Sequence, residues 1–163
     1  MRTLAAHGEV PMTPRISGVR FVPLRRIDDE RGSVMHMLKS TDDWFVGFGE
    51  VYFSMILPGA VKAWRRHRRM VTNIAAPVGN VRVLLVDDRG DGPTSGTIDE
   101  LVLGENNYGL LVIPPLVWSA FYNDTASTTL IANCASIPHD PDEVDRRDAS
   151  HPNFPQPWSR PRT

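Results

Sequence analysis

The chain consists of short apolar runs separated by turn residues, and this pattern restricts its fold more than any other feature of the sequence. The runs recur about every ten residues, which is typical of all-β proteins. The most apolar run covers residues 80–87 and ends in a loop rich in Asp and Gly. Helical periodicity is almost absent. The pattern therefore predicts a β-sandwich or β-barrel with seven or more strands. Besides residues 80–87, strands are expected at 33–38, 50–57, 60–70, 96–103, 109–113, 117–122 and 128–133, with a short helical turn at 40–43.

Length and charge limit the classes of protein to consider. With 163 residues, the chain suits a single domain with one core. It has 18 Lys and Arg residues against 19 Asp and Glu residues, so no net field favours nucleic acid or an anionic membrane as a partner. Cys134 is the only cysteine, which excludes an internal disulfide. Because no run is long and apolar enough for a membrane span or a signal peptide, we expect a cytoplasmic protein.

Three regions are distinguished by composition. Residues 1–17 show little periodicity and are expected to form a loose N-terminal arm. Residues 18–137 contain the strand pattern and form the predicted barrel. Residues 138–163 form a Pro-rich tail, which we expect to pack on the barrel and not to add a strand. Its prolines are Pro138, Pro141, Pro152, Pro155, Pro157 and Pro161.

Two groups of residues have the spacing of a known pair of motifs. The first group is Gly59, Arg65, His67, Thr72 and Gly79, and the second is Pro114, Leu116, Ser119 and Asn123. This spacing resembles that of the cupin family, in which a His-x-His pair, a Glu and a further His hold a metal. The resemblance implies a cupin fold, a double-stranded β-helix or jelly-roll barrel. Of the four ligand positions only His67 bears a usual metal ligand, so no metal and no cofactor are expected.

Further segments resemble one branch of the cupins, the dTDP-4-dehydrorhamnose 3,5-epimerases and their relatives. The segments that carry this resemblance are residues 28–32, 59–64, 86–89 and 113–121. The resemblance implies an isomerase that abstracts a proton next to the ketone of a dTDP-linked 4-keto-6-deoxy sugar. Such an enzyme acts as a 3- and/or 5-epimerase or, in a related branch, as a 3,4-ketoisomerase. It also implies a homodimer in which the N-terminal strand crosses to the partner.

Most catalytic positions of that branch carry other residues in this chain. The catalytic His falls on Arg65, whose guanidinium cannot accept a proton at neutral pH. The second His falls on Ser119, and the acidic Tyr belongs near Ala132 or Asn133, where there is no tyrosine. In addition, the Glu that follows the Arg-Gly pair falls on His36, and the Gln of the preceding strand falls on Glu50.

Other positions agree with the branch. Arg31 matches an Arg that contacts the substrate, Lys62 stands where a phosphate-binding Arg stands, and Asp148 matches the carboxylate that orients the base. Glu50 and Tyr52 share one face of their predicted strand. The residues expected to contact the substrate are Arg31, Lys62, Glu50, Tyr52, Ser119 and Trp118.

Strict alternation along residues 60–70 assigns each side chain to a face. It predicts that Ala63, Arg65, His67 and Arg69 face into the barrel while Lys62, Trp64, Arg66 and Arg68 face out. Buried arginines need a negative partner, because an unpaired buried charge is costly. That partner is either an internal carboxylate such as Glu50 or an anionic ligand. The outward arginines belong to a solvated face or to the rim of a dimer.

The histidines and tryptophans each allow two interpretations. His67 is either the general base or a structural, hydrogen-bonded histidine, and His36 is a candidate to share the acid and base roles with it. A metal held by His67, Glu50 and His36 would need an unfamiliar arrangement, and we do not expect one. Trp64 and Trp118 either stack on the nucleotide or sugar or pack in a core or an interface.

Two hypotheses for the function follow. The first is an epimerase-like enzyme with His67, Arg65, His36 and Asp148 as its catalytic residues. The second is a cupin that binds a nucleotide sugar or another anionic small molecule but has lost the catalytic base.

Overall fold

The computed structural model describes residues 13–159 and has an all-β architecture, which confirms the predicted jelly-roll class. Within these residues, the helical structure consists of two short 3₁₀ turns, Pro141–Glu143 and Pro157–Ser159. None of the described helical segments is long or apolar enough to cross a membrane. The strands are β1 (Arg20–Pro23), β2 (Arg26–Asp29), β3 (Gly32–Met35), β4 (Glu50–Ile56), β5 (Val61–His67), β6 (Thr72–Val78), β7 (Asn80–Asp87), β8 (Ile98–Gly104), β9 (Gly109–Ile113), β10 (Val117–Tyr122), β11 (Thr129–Ala135) and β12 (Val144–Arg146).

Two antiparallel sheets of five strands form the barrel. One has the order β1-β9-β6-β11-β4, and the other has the order β12-β5-β10-β7-β8. Strands β2 and β3 form a separate hairpin. The main core lies between the two large sheets, where Val83 and Leu85 of one sheet belong to the same buried cluster as Leu111 and Ile131 of the other. Alternation along each strand produces this layer, because every second side chain points inward.

The strand boundaries agree with the sequence pattern for much of the chain and differ at several places, among them β1 and β2, which were not among the predicted strands. Strand β6 was not among the predicted strands, although its first five residues are buried. The helical turn expected at residues 40–43 is instead a hydrogen-bonded turn, in which Asp42 accepts a 2.8 Å bond from the backbone N–H of Lys39. The side chain thus satisfies a backbone donor without any helix following.

The two glycines that frame the first motif are required by turns. Gly59, before β5, has a φ of 74°, and Gly79, after β6, also has a φ of 74°. At Gly79 an added Cβ would lie 2.9 Å from Thr129 Oγ1. Both positions therefore favour glycine by conformation, and the second also by space. The spacing between the two glycines thus reflects the length of the β5–β6 unit.

The C-terminal tail does add a strand, contrary to the expectation from its prolines. Strand β12 pairs antiparallel with β5, so that Asp145 lies opposite Arg66. The outward arginines explain this pairing, because Asp145 accepts hydrogen bonds from both Arg66 and Arg68. These arginines hold the tail and do not form a free solvated face.

The tail also covers the outer face of the sheet to which β5 belongs. Phe154 lies with its ring centroid 4.8 Å from that of Trp64 and 5.3 Å from that of Trp118. Trp158 lies 5.9 Å from Trp64. Trp64 is fully buried by this layer. Of the two interpretations of the tryptophans, the structure favours packing in a core.

Candidate active site

A cavity lies between the two sheets, with β4 on one wall and β5 on the other. Its lining combines polar side chains with an apolar floor: Tyr52, Ser54, Ile56, Lys62, Arg65, His67, Thr72, Ile74, Ser119, Phe121, Ile131 and Asn133. A second, more open part shares Tyr52, Arg65 and His67 with it and continues past Glu50, Met70, His139, Val144 and Arg146. Strand β4 turns its polar face to this cavity, as the alternation of Tyr52 and Ser54 predicted.

A β-bulge in β5 changes the predicted face assignment. Arg65 pairs with Ser119 and Lys62 pairs with Phe121, so two residues of β5 oppose the single residue between them on β10. As a result, Lys62 lines the cavity together with Arg65, and Ala63 packs outside with the tryptophan cluster. The assignments of Lys62 to the outside and of Ala63 to the inside were therefore wrong, since a bulge shifts the alternation by one residue.

Arg69 also differs from the prediction. Its guanidinium forms an ion pair with Asp140 at 3.2 Å, and its side chain is 69% exposed. Strand β5 ends at His67, so the alternation that placed Arg69 inside no longer applies there. Of the two arginines predicted to face inward, only Arg65 lines the cavity.

His67 is held by a buried carboxylate that sequence analysis did not identify. Its Nδ1 lies 2.8 Å from Oε2 of Glu143, and the Glu143 side chain has no exposed surface. The other oxygen of Glu143 accepts hydrogen bonds from the backbone N–H groups of Arg69 at 2.5 Å and Met70 at 2.7 Å. The carboxylate is therefore fixed from three sides and fixes the imidazole in turn.

This contact determines which nitrogen of His67 is free to react. An ionised carboxylate only accepts hydrogen bonds, so Nδ1 must carry the proton that it donates to Glu143. The remaining nitrogen, Nε2, then bears a lone pair. Because His67 lines both parts of the cavity, this arrangement supplies a base oriented by a carboxylate.

The pKa of Glu143 supports the ionised form. Burial alone would raise this pKa, but the hydrogen bonds from His67 and from the backbone of Arg69 and Met70 outweigh that effect. The pKa of Glu143 therefore lies below its ordinary value. At neutral pH the side chain is a carboxylate, as the tautomer of His67 requires.

Tyr52 stands on the opposite wall with its hydroxyl group oriented by an amide. Asn133 lies directly opposite Tyr52 in the sheet register, and its Nδ2 donates a 2.7 Å hydrogen bond to the phenol oxygen. The Oδ1 of Asn133 accepts the backbone N–H of Asn73 at 3.1 Å, which fixes the direction of the amide. The phenol oxygen thus acts as an acceptor toward Asn133, and its own proton remains available to the cavity.

Arg65 has no partner of its own among residues 13–159. No ion pair or side-chain hydrogen bond links its guanidinium to any described residue, and the internal salt bridge to Glu50 is not formed. Glu50 lines the same open part of the cavity. Lys62, by contrast, donates a 2.6 Å hydrogen bond to Ser54 of β4. The arginine is therefore a free cation of the site.

Two predicted site residues lie on the β2–β3 hairpin and its exit, away from this cavity. His36 follows β3, and its backbone C=O accepts a 2.9 Å hydrogen bond from the Tyr108 hydroxyl. It is not on a strand next to β5, so it cannot share a proton with His67 in the same subunit. Arg31 lies at the turn of the hairpin with its side chain 83% exposed and paired to Asp29.

Two further expectations are corrected by the contacts of the tail. Asp148 caps a turn of the tail through Ser150, whose backbone N–H donates a 2.8 Å bond to it, and the base is oriented by Glu143 instead. Trp118 is buried on the outer face, where its Nε1 donates to Asp88. It cannot contact a substrate in the cavity, because its neighbour Ser119 is the residue that points inward.

Metal-ligating side chains do not cluster in the described part of the chain. No group of three His, Cys, Asp or Glu side chains suitable for a metal ion occurs within residues 13–159. In particular, His36 is remote from His67 and Glu50, which removes the alternative ligand set. The polar groups of the cavity are instead suited to proton transfer and to holding negative charge.

Glu143 could not be identified from sequence because it is 76 positions away from His67. It lies in an Asp-Pro-Asp-Glu segment whose acidic residues look alike. Only the pairing of β12 with β5 brings this segment to the end of the β5 strand. The sequence contains only a signal for a short turn, since Pro141 follows the capping residue Asp140 and the turn ends at Glu143. That signal does not indicate a contact with His67.

Comparison with known proteins identifies the group to which this site belongs. No family model matches the chain. The chain is 31% identical over 134 residues to the "Probable low-salt glycan biosynthesis epimerase Agl13" of Haloferax volcanii, covering 81% of this chain and 86% of that protein. Its structure is similar to that of a dTDP sugar isomerase from Desulfovibrio desulfuricans, with a TM-score of 0.85 and 43% identity over 88% of this chain and 92% of the other.

A structure with lower sequence identity supports the assignment of the fold. The dTDP-4-dehydrorhamnose 3,5-epimerase from Sulfolobus tokodaii gives a TM-score of 0.77 at 20% identity, covering 88% of this chain and 84% of the other. Together these findings favour the enzyme hypothesis over a cupin that only binds. The chain belongs to the cupin-fold family of sugar epimerases and isomerases typified by dTDP-4-dehydrorhamnose 3,5-epimerase.

Proposed function

We propose that this enzyme epimerises a nucleotide-linked 4-keto-6-deoxy sugar, with His67 as the base and Tyr52 as the proton donor. The observation that carries the proposal is the contact between His67 Nδ1 and the buried Glu143. It leaves Nε2 of His67 as an oriented proton acceptor in the cavity between the two sheets. The assignment to a dTDP-linked sugar rests on similarity to the dTDP sugar isomerase.

The first step is removal of a proton from the carbon next to the ketone. Nε2 of His67 takes this proton, and the electron pair of the C–H bond moves to form an enolate with its charge on the ketone oxygen. The resulting imidazolium is stabilised by the Glu143 carboxylate, which is already ionised. The orientation of the base by a buried carboxylate favours this role over a purely structural histidine.

The second step returns a proton from the opposite wall. Tyr52 of β4 faces His67 of β5 across the cavity, and its hydroxyl proton is not used by Asn133. Donation of that proton to the same carbon, with return of the enolate electron pair, inverts the configuration. The His67 imidazolium then releases its proton to solvent, and the Tyr52 phenolate takes up a proton from solvent. A base on one wall and a proton donor on the other favour epimerisation over a 3,4-ketoisomerisation that moves a proton along one face.

The positively charged side chains of the cavity stabilise the negative charge of the substrate. Lys62 and Arg65 both line it, and Arg65 lies two residues before His67 on the same face of β5. Preorganised cations stabilise charge that develops on a ketone oxygen or resides on a diphosphate. We assign Ser119 and Glu50 to contacts with sugar hydroxyl groups, since Ser119 lines the first part of the cavity and Glu50 lines the adjoining open part.

We further propose that the enzyme works as a homodimer in the cytoplasm, where nucleotide sugars are made. Strand β4 is at the edge of its sheet, and its outer face exposes Phe53 by 65% and Met55 by 63%. The hairpin also exposes Val34 by 61%. An apolar edge strand needs a cover to avoid aggregation, and a second copy is the simplest one. We propose that in such a dimer Arg31 contacts the substrate in the partner's cavity, because within its own subunit it is exposed and lies outside the cavity.

Proton exchange tests the chemical proposal directly. The pure protein is incubated with dTDP-4-keto-6-deoxyglucose in heavy water, and deuterium at C3 and C5 of the sugar is measured by NMR. We expect deuterium at one or both carbons. The variant His67→Ala should lower the exchange rate by a factor of about 10² to 10⁴, as expected for loss of a general base.

The matched control is His36→Ala, which removes an imidazole outside the cavity and should leave the rate unchanged. Absence of exchange by the wild-type protein, with the sugar nucleotide shown to bind, would exclude the proposed reaction on this substrate. Full exchange by His67→Ala would instead exclude His67 as the base.

A further inference from the structure

Two arginines lie directly opposite each other on neighbouring strands at the open part of the cavity. Arg65 of β5 and Arg146 of β12 are register partners in the antiparallel pairing, and both line the cavity. Both are exposed residues. Like charges in directly opposite positions destabilise a pair of strands. The pair therefore needs an explanation that the folding of the tail alone does not provide.

The outward arginines of β5 and of the residues directly after it are paired with carboxylates, whereas Arg65 and Arg146 are not. Asp145 accepts hydrogen bonds from Arg66 and Arg68, and Arg66 also bonds Asp88. Within the region that the structure describes, neither Arg65 nor Arg146 has an ion pair or a side-chain hydrogen bond. Carboxylates are thus placed on the outer face of the β5–β12 pair, and the cavity face is left positive.

Other ionisable groups around the pair do not remove this charge. The open part of the cavity contains Glu50 together with the histidines His67 and His139. Glu50 forms no ion pair with either guanidinium, and His67 already donates to Glu143. The lining of this part thus carries two guanidinium groups and one carboxylate, that of Glu50, while the Glu143 carboxylate lies behind His67 and outside the lining. A positive, open and partly polar cavity attracts an anion.

We infer that Arg65 and Arg146 together form a binding site for an oxyanion of the substrate, either a phosphate or a carboxylate. Each guanidinium offers a planar fork of N–H donors that matches such groups in a bidentate way. The inference rests on the proposed function, because it places the anionic group of the sugar nucleotide beside His67. It adds a residue of the tail to the substrate site and makes β12 part of that site.

This oxyanion site differs from the position of Lys62. The amine of Lys62 donates to Ser54 of β4, and the bulge of β5 separates it from Arg65. The cavity therefore has two cationic points along β5. The diphosphate of the nucleotide is one source of the oxyanion at the arginine pair, and a carboxylate on the sugar is the other.

Binding measurements with charge-removing variants test the site. Dissociation constants are measured by calorimetry for dTDP, dTDP-glucose and dTDP-glucuronate with the wild-type protein, Arg65→Gln, Arg146→Gln and the double variant. Arg65→Lys keeps the charge but removes the fork, and circular dichroism checks that each variant folds. Arg20→Gln is the matched control, because Arg20 is exposed on β1 and lies outside the cavity.

Three results would support the inference. Each single variant weakens binding about tenfold or more, Arg20→Gln does not, and the double variant loses less than the product of the two single losses, since both residues hold one group. A loss already seen with dTDP identifies the diphosphate as the source. A loss confined to dTDP-glucuronate identifies a sugar carboxylate.

Unchanged dissociation constants in both single variants would overturn the inference, as would a wild-type protein that binds none of the three probes. If Arg65 only neutralises the charge of Glu50, another pattern is expected. Glu50→Gln would then tighten the binding of every probe, and Arg146→Gln would have no effect. The heavy-water exchange assay decides the proposed reaction separately. Exchange by the wild-type protein with unaltered binding in the variants would contradict only the oxyanion site.

Discussion

At the scale of single residues, the proposed base is His67, since arginine stands at position 65, where the sequence resemblance expects the catalytic histidine. Alternate residues of a strand share a face, so a histidine two positions after Arg65 faces the same cavity. His67 acquires the features of a base from Glu143 and not from its sequence neighbours, which are arginines. The proposed function thus depends on one contact between the barrel and its tail.

The first prediction concerns the dependence of stability on pH. The folded-state pKa of Glu143 lies below its ordinary value, so its contribution to stability is complete above the unfolded-state pKa and is lost as pH falls toward the folded-state pKa. The window begins near pH 4.5, the ordinary value. Replacement by Gln removes this contribution, because the amide does not titrate.

Urea unfolding of the wild-type protein and of Glu143→Gln at pH 5 and pH 3 measures the effect, because histidines in general change their charge above this range. At pH 5 we expect the variant to be less stable by about 1 to 3 kcal/mol, because a charge-assisted buried hydrogen bond is weakened. At pH 3 the difference should be smaller. A difference that stays constant or grows between pH 5 and pH 3 would contradict the assignment of an ionised Glu143.

At the scale of secondary-structure elements, β5 shows what could and could not be predicted from sequence. Alternation correctly gave the inward direction of Arg65 and His67, and the face of β4 that carries Tyr52. It failed at Lys62, because no pattern in the sequence indicates the bulge opposite Ala120. Such an insertion depends on the register with β10, which is a property of two strands and not of one.

The tail shows the same limit for a whole element. Its prolines argue against a strand, yet Val144–Arg146 contains none and is just long enough to pair with β5. The opposite charges of Arg66 and Asp145 attract each other only when β5 and β12 lie side by side. Local sequence therefore gave the composition of the tail but missed the strand that pairs with β5.

The second prediction tests the tail as part of the core. Phe154 is buried between Trp64 and Trp118, so Phe154→Ala should destabilise the protein by about 3 kcal/mol through loss of packing and the cavity left behind. Phe154→Leu keeps much of the volume and should cost less than about 1.5 kcal/mol. Chemical unfolding monitored by tryptophan fluorescence gives both values. Equal and small losses would show that the tail is not required for the stability of the barrel.

At the scale of the whole molecule, the polarity of β4 is inverted relative to an ordinary strand of a barrel. Its inner face carries Tyr52 and Ser54 toward the cavity, and its outer face carries large exposed apolar side chains. These outer residues are Val51, Phe53 and Met55, and Leu57, directly after β4, is exposed as well. The inner pattern is explained by the chemistry of the site. The outer pattern has no such explanation within one subunit and is the basis of the proposed homodimer.

The last prediction is that a charge on this outer face separates the subunits. Phe53→Asp places a carboxylate in the proposed contact, where burial of an unpaired charge is costly, and should convert a dimer into a monomer. Because the side chain is 65% exposed within one subunit, the fold itself should be preserved. Sedimentation velocity measures the mass, and Ile98→Asp on β8, 43% exposed, is the matched control that should remain dimeric. If Arg31 reaches the partner's cavity, the monomeric variant should also bind dTDP more weakly, whereas a monomeric wild-type protein would exclude this assembly.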